Sequence, residues 1–128
     1  DRGSTTEQRE KFVNEWYRCI LKAEIERVLP KWEQISDLHP DGWQIKNMTT
    51  RWGTCNVKTR KVWFNLQLAK KTPECLEYVI VHELMHLIEK SHNEKFATLM
   101  DKYLPNWREI RKSLNGQILD YLDSAKEC

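Results

Sequence analysis

The sequence predicts an α+β domain: a long N-terminal helix, a small three-stranded antiparallel sheet, a helix bearing a histidine pair, and further C-terminal helices. Three observations carry this. Apolar residues recur at three- and four-residue spacing over residues 5 to 29, the signature of an amphipathic helix. They alternate with polar residues from Trp43 to Thr50 and return as the β-prone run Val62-Trp63-Phe64. Helix-starting residues then stand at Thr72-Pro73-Glu74, ahead of a second apolar stripe.

In the first helix the stripe is Phe12, Val13, Trp16, Tyr17, Ile20, Leu21, Ile25, Val28 and Leu29, which is expected to pack on a core. Pro30 lacks a backbone donor and disfavours helical geometry at Leu29, so the helix is expected to stop or kink before Trp32 and Ile35. Asp37 to Gly42 contains His-Pro-Asp-Gly and reads as a turn that leaves His39 on the surface. Trp43, Ile45, Asn47 and Thr49 alternate with Gln44, Lys46, Met48 and Thr50, a half-buried strand. Gly53 interrupts the pattern. A short stretch through Cys55 and Val57, the polar turn Lys58-Thr59-Arg60-Lys61 and then Val62 to Phe64 read as a hairpin, which completes the antiparallel sheet.

Thr72 can cap the next helix, Pro73 suits its first position, and Glu74 complements the positive end of the dipole. Leu76, Val79, Ile80, Leu84 and Leu87 carry its stripe to about Lys90. Asn93 can cap a helix through Tyr103, Pro105 opens another that ends near Asn115-Gly116, and Ile118, Leu119, Tyr121 and Leu122 suggest a short terminal one. Trp63 and Trp107 are expected in the core.

With 128 residues and 40% hydrophobic content, the chain is read as a single domain over residues 1–128. No 18 consecutive residues are apolar and the first twenty are polar and charged, so neither a membrane partner nor a secretory signal is predicted. A net charge of +2 and a pI near 8.4 give no footprint for nucleic acid. Cys19, Cys55, Cys75 and Cys128 form no C-x-x-C pair, which excludes a zinc ribbon and favours free thiols in a cytoplasmic protein. Cys55 reads as a small buried residue rather than a nucleophile.

Three of the four histidines, His82, His86 and His92, fall within eleven residues. His82-Glu83-Leu84-Met85-His86 is H-E-x-x-H inside a predicted helix, where residues four apart share one face and both imidazoles can reach one ion. A chain of this composition holds that pattern by chance only about 1% of the time. A catalytic zinc uses three protein ligands and keeps a fourth position for water. His92 lies just past the expected helix end, where the chain can turn back to supply the third. Glu83 follows His82 by one residue, which turns it toward the edge of the metal, within reach of a bound water. Such water can have its pKa lowered to about 7; Glu83 would take its proton and pass it to a departing amine. The chemistry is amide hydrolysis by one Zn²⁺ per chain, acting on a peptide or protein. The plainer readings are surface histidines beside an ordinary glutamate, or a closed structural zinc site, for which no fourth ligand is apparent.

With these residues in hand, the chain resembles the YgjP-like zinc metallopeptidases, minimal zincins related in site pattern to the WLM and SprT-like proteases. The resemblance runs from about Trp43 to Asn115. It rests on Arg51-Trp52-Gly53-Thr54-Cys55, Asn65, Val79-Ile80-Val81-His82-Glu83-Leu84-Met85-His86, His92-Asn93 and Leu104-Pro105-Asn106-Trp107-Arg108. It implies zinc at His82, His86 and His92, Glu83 as general base, and a zincin-like fold with a backing helix, a small sheet and an active-site helix. Complete members of the family carry a further amino-terminal β-rich region, which makes this chain a candidate for the catalytic part of a longer protein. The family often has Ser where Thr54 and Asn93 stand, and both replacements keep a short polar group. Metzincins place Gly where Glu89 stands and need a downstream methionine turn that Met100, inside a predicted helix, does not suit. A gluzincin would recruit a later glutamate such as Glu109, but His92 is the expected ligand.

Arg51 and Trp52 are candidates to line the substrate cleft, against a surface ion pair for Arg51 and a core anchor for Trp52. Asn65 at a strand end could hydrogen-bond substrate backbone or cap a turn. The competing function is a zincin-fold module of little or no activity that binds peptide or nucleoprotein partners. Retention of Glu83 favours the enzyme, since a structural metal needs no base beside it.

Overall fold

The computed structural model describes residues 6–117; the terminal helix expected from Ile118 to Leu122 lies outside them. Helix α1 spans Thr6–Ser36. Its second half behaves as the stripe predicts, burying Leu21, Ile25, Val28, Leu29 and Trp32. The first half does not, because Phe12, Val13, Trp16 and Ile20 are exposed to solvent. The helix also runs through Pro30, where a stop or kink was expected. Tertiary contacts offset the missing hydrogen bond. Val28, Leu29 and Trp32 are buried on either side of Pro30, and Glu77 Oε2 accepts from Trp32 Nε1 at 3.0 Å and Lys31 Nζ at 2.7 Å. Asp37, in the left-handed region at φ 58°, ends the helix, its N–H donating to Glu33 O.

Strands β1 (Gly42–Lys46), β2 (Gly53–Asn56) and β3 (Lys61–Asn65) form one sheet in the order β1-β3-β2. The hairpin is as expected: β2 and β3 are antiparallel with Cys55 opposite Val62, and Asn56 Oδ1 accepts from the Lys58 and Thr59 amides in the turn. The all-antiparallel expectation is corrected, because β1 pairs parallel to β3 with Trp43 opposite Val62 and Ile45 opposite Phe64. The sheet is therefore mixed. Burial explains the order: β3 holds Val62, Phe64 and Asn65 inside, so the most buried strand takes the centre and residues 47–52 carry the chain past its end. Trp63 is half-buried rather than in the core, while Trp107 is buried.

A short 3₁₀ helix, Leu66–Lys70, leads to α2 (Pro73–Met85), which is buried continuously from Tyr78 to Met85. A helix enclosed all round is the centre of the molecule, with α1, β2, α3 and α4 around it. It ends at Met85 with His86 as cap, earlier than the expected Lys90. Helix α3 (Glu94–Tyr103) begins as predicted, Asn93 Oδ1 accepting from Phe96 N at 3.0 Å, and α4 (Trp107–Gln117) follows. Asp101 ties the two, accepting from Trp107 Nε1 at 2.8 Å and Arg108 Nη1 at 2.6 Å. No described helix is long and apolar enough to cross a membrane.

Candidate metal centre

His82 and His86 stand one turn apart near the end of α2, both buried, and His92 arrives from the exposed segment before α3. Their Nε2 atoms form a nearly equilateral triangle, 3.1 Å from His86 to His82, 3.1 Å from His86 to His92 and 3.2 Å from His92 to His82. Nitrogens so spaced leave room for one ion at ~2.0–2.1 Å from each, the length of a zinc–nitrogen bond. The tautomer of His86 follows from its other nitrogen. Glu89 O lies 3.1 Å from His86 Nδ1, and a carbonyl only accepts, so Nδ1 donates and Nε2 turns its lone pair into the triangle. A cation is the natural occupant of a point where imidazole nitrogens converge, and the donor set fits one. Among the described residues this is the one such group of His, Cys, Asp and Glu; Glu109 lies exposed on α4 and does not belong to it.

Aromatic packing holds the rings in place. Phe96 stacks on His86 with centroids 4.5 Å apart and meets His82 edge-on at 4.9 Å, so the first turn of α3 packs against both imidazoles at the end of α2. Tyr78, one turn before His82, lies 5.5 Å from it.

Glu83 is wholly buried on the side of α2 that faces β2. The close approach of β2 depends on Gly53: a Cβ there would stand 3.0 Å from Glu83 Oε2 and 2.8 Å from Val79 Cγ1. A small cavity beside the carboxylate is lined by Trp52, Tyr78, His82, Glu83, Arg111 and Asn115. Cys55 faces the same neighbourhood. Its thiol is pushed up to about 12, first by burial and then by the negative charge of Glu83, against which Arg60 acts weakly.

The three residues considered for substrate contact do not meet on one surface. Arg51 is exposed, Trp52 is buried and walls the cavity, and Asn65 is wholly inside. The hydrogen bonds of the Asn65 side chain all run to backbone. Its Nδ2 donates to Arg51 O at 2.7 Å and Met48 O at 3.0 Å, and its Oδ1 accepts from Gln67 N at 3.0 Å and Met48 N at 3.3 Å. Sequence reasoning missed Phe96, Arg111 and Asn115, which reach the site by packing of separate helices, and Tyr78, which the helix period places one turn before His82. Gly53 carried a usable signal, since a glycine inside a strand marks close approach.

A family model for the YgjP-like metallopeptidase domain matches residues 1–117. In fold the chain is similar to the crystal structure of the metallopeptidase zymogen of Pyrococcus abyssi abylysin. The TM-score is 0.66 and the identity 18%, over 73% of this chain and 93% of that one. It is also similar to the metallopeptidase zymogen of Methanocaldococcus jannaschii jannalysin, with TM-score 0.63 and 23% identity over 74% of this chain and 97% of that one. No curated protein matches the chain. With a family model over nearly the whole sequence, the fold of the metallopeptidase neighbours and a histidine triad that can hold a metal, the chain belongs to the YgjP-like metallopeptidases and is a peptidase, a hydrolase.

Proposed function

We propose that the chain, taken as one catalytic domain, is a zinc-dependent metallopeptidase with His82, His86 and His92 as the ligands and Glu83 as the general base. The observation that carries this is the convergence of three Nε2 atoms within 3.2 Å of one another, with the buried Glu83 carboxylate on the same helix. Zinc at that point supplies Lewis acidity for a substrate carbonyl and makes water a nucleophile at neutral pH. The chain's own residues do the rest. The Glu83 carboxylate accepts a proton from the attacking water and returns it to the amine that leaves. Strand β2 favours a peptide substrate: its one strand partner among the described residues is β3, and Gly53 at its start lies against Glu83, so its other edge can hold extended backbone near that carboxylate. The free thiols of Cys19, Cys55 and Cys75 fit a reducing compartment, and we place the protein in the cytoplasm on that ground.

The test is Glu83→Gln, which keeps size and a hydrogen-bonding group but removes the proton acceptor. Zinc stoichiometry should stay at one per chain and single-turnover peptide cleavage should fall by ~10²–10⁴-fold. Cleavage within a few-fold of wild type would sink the assignment. Absence of cleavage by either form, with metal bound, would favour the peptide-binding module instead.

A further inference from the structure

Between β1 and β2 the chain crosses the end of β3 through residues 47–52, with no regular structure of its own until it reaches Gly53. That segment sets where the wall of the Glu83 site stands, because Trp52 lines the cavity and Gly53 brings its backbone against Glu83 Oε2. Its position is set in turn from beneath. The Asn65 side chain bonds Met48 through both N–H and C=O and takes Arg51 O as well, while the Asn65 N–H donates to Trp52 O at 2.9 Å. Gln67, whose own N–H is held by Asn65 Oδ1, reaches Asn47 Oδ1 at 2.9 Å through Nε2. One wholly buried amide thus ties both ends of the segment to the strand it crosses.

We propose that Asn65 is a positioning residue for peptide hydrolysis. It touches no reacting atom, and it fixes the 48–52 segment at the height that lets Trp52 and Gly53 confine the Glu83 carboxylate. An amide is required there because the site needs two donors and two acceptances at once, which neither a carboxylate nor a hydroxyl supplies. The effect on rate comes through geometry: displacement of a catalytic group by about 1 Å can cost ~10²-fold. The metal ligands are carried by α2 and by the stretch before α3 and not by the 48–52 segment, so zinc stoichiometry should not change with the clamp.

The inference rests on Glu83 being the base, and the experiment separates the two. Asn65→Asp keeps Oδ1 for the Met48 and Gln67 amides but sets an anionic oxygen against the carbonyls of Met48 and Arg51. Zinc content should remain one per chain, exchange of the Trp52 and Gly53 amides should quicken, and kcat should fall ~10–100-fold with KM within about threefold. In the Glu83→Gln background the same substitution should change cleavage by less than about threefold, since positioning has then nothing to act on. Wild-type kcat in Asn65→Asp, a loss confined to KM, or the full loss repeated in the Glu83→Gln background would each overturn the proposal. A failure of the base assignment shows instead in Glu83→Gln alone. Should Asn65→Asp not fold, Gly53→Ala moves the same wall with the clamp intact, and wild-type kcat there would equally overturn it.

Discussion

Glu83 and Cys55 share one stretch of wall between α2 and β2, and their chemistry differs because of how they are housed. The carboxylate lies in a cavity with His82, Arg111 and Asn115, while the thiol two residues along β2 from Gly53 is desolvated and faces that negative charge. Burial pushes the thiol up to about 12, with the charge of Glu83 adding to it, so the folded protein keeps a proton that an unfolded chain releases near the ordinary thiol range of ~8.5. The sign follows. The folded pKa is raised, so the contribution of Cys55 is fully present below that ordinary range and is lost as pH climbs toward about 12. At pH 8 a thiol reagent should label exposed Cys19 readily and leave Cys55 unmodified until the protein unfolds. Equal labelling rates at the two positions would contradict this account. Of the site itself, the triad and Glu83 were legible in sequence because helix period alone places His82, Glu83 and His86, and a short excursion returns His92. Asn65 was legible only in part: its turn-capping role is borne out, Oδ1 accepting from Gln67 N at the start of the 3₁₀ helix, but the segment some fifteen residues earlier that it also bonds could not be read from local sequence.

Among the elements, α1 shows how local rules and packing compete. Pro30 marks a boundary by every local criterion, yet the helix continues to Ser36 because residues on both sides of it are buried and Glu77 anchors the turn beyond. Glu77 is pulled both ways: burial would raise its pKa, but the Lys31 and Trp32 hydrogen bonds outweigh it and hold the carboxyl below its usual range. Pro30 itself is exposed, so replacing it removes no core contact. Pro30→Ala should restore a helix donor and raise unfolding free energy by roughly 1–3 kcal/mol, less the entropy that proline removes from the unfolded chain. Urea unfolding measures this, and a destabilised variant would show that the helix needs the proline where it stands. The parallel pairing of β1 escaped the sequence for a related reason. Alternation identifies a half-buried strand, but its partner is settled by which strand is buried most, a property of the assembled molecule.

At the scale of the molecule, the fold is arranged around α2, whose residues from Tyr78 to Met85 are all buried while its last turn opens onto the triad. Of the three proposed ligands, His82 lies in that helix and His86 caps it, while His92 is exposed on the stretch joining it to α3. A metal held by all three would therefore tie the stretch before α3 to the end of α2, where Phe96 of α3 stacks on His86. Zinc that binds the folded chain and not the unfolded one should add about 2.7 kcal/mol to stability at a hundred times its dissociation constant. His92→Ala provides the discriminating comparison, because an exposed side chain leaves no cavity when truncated. Without metal its unfolding free energy should match wild type within about 0.5 kcal/mol, and with zinc at the same concentration most of the gain should be gone. His86→Ala differs, since it empties a buried place stacked on Phe96 and should destabilise the metal-free protein as well. Urea titrations of the three proteins with zinc and with chelator would decide it, and an undiminished gain in His92→Ala would remove His92 from the metal centre.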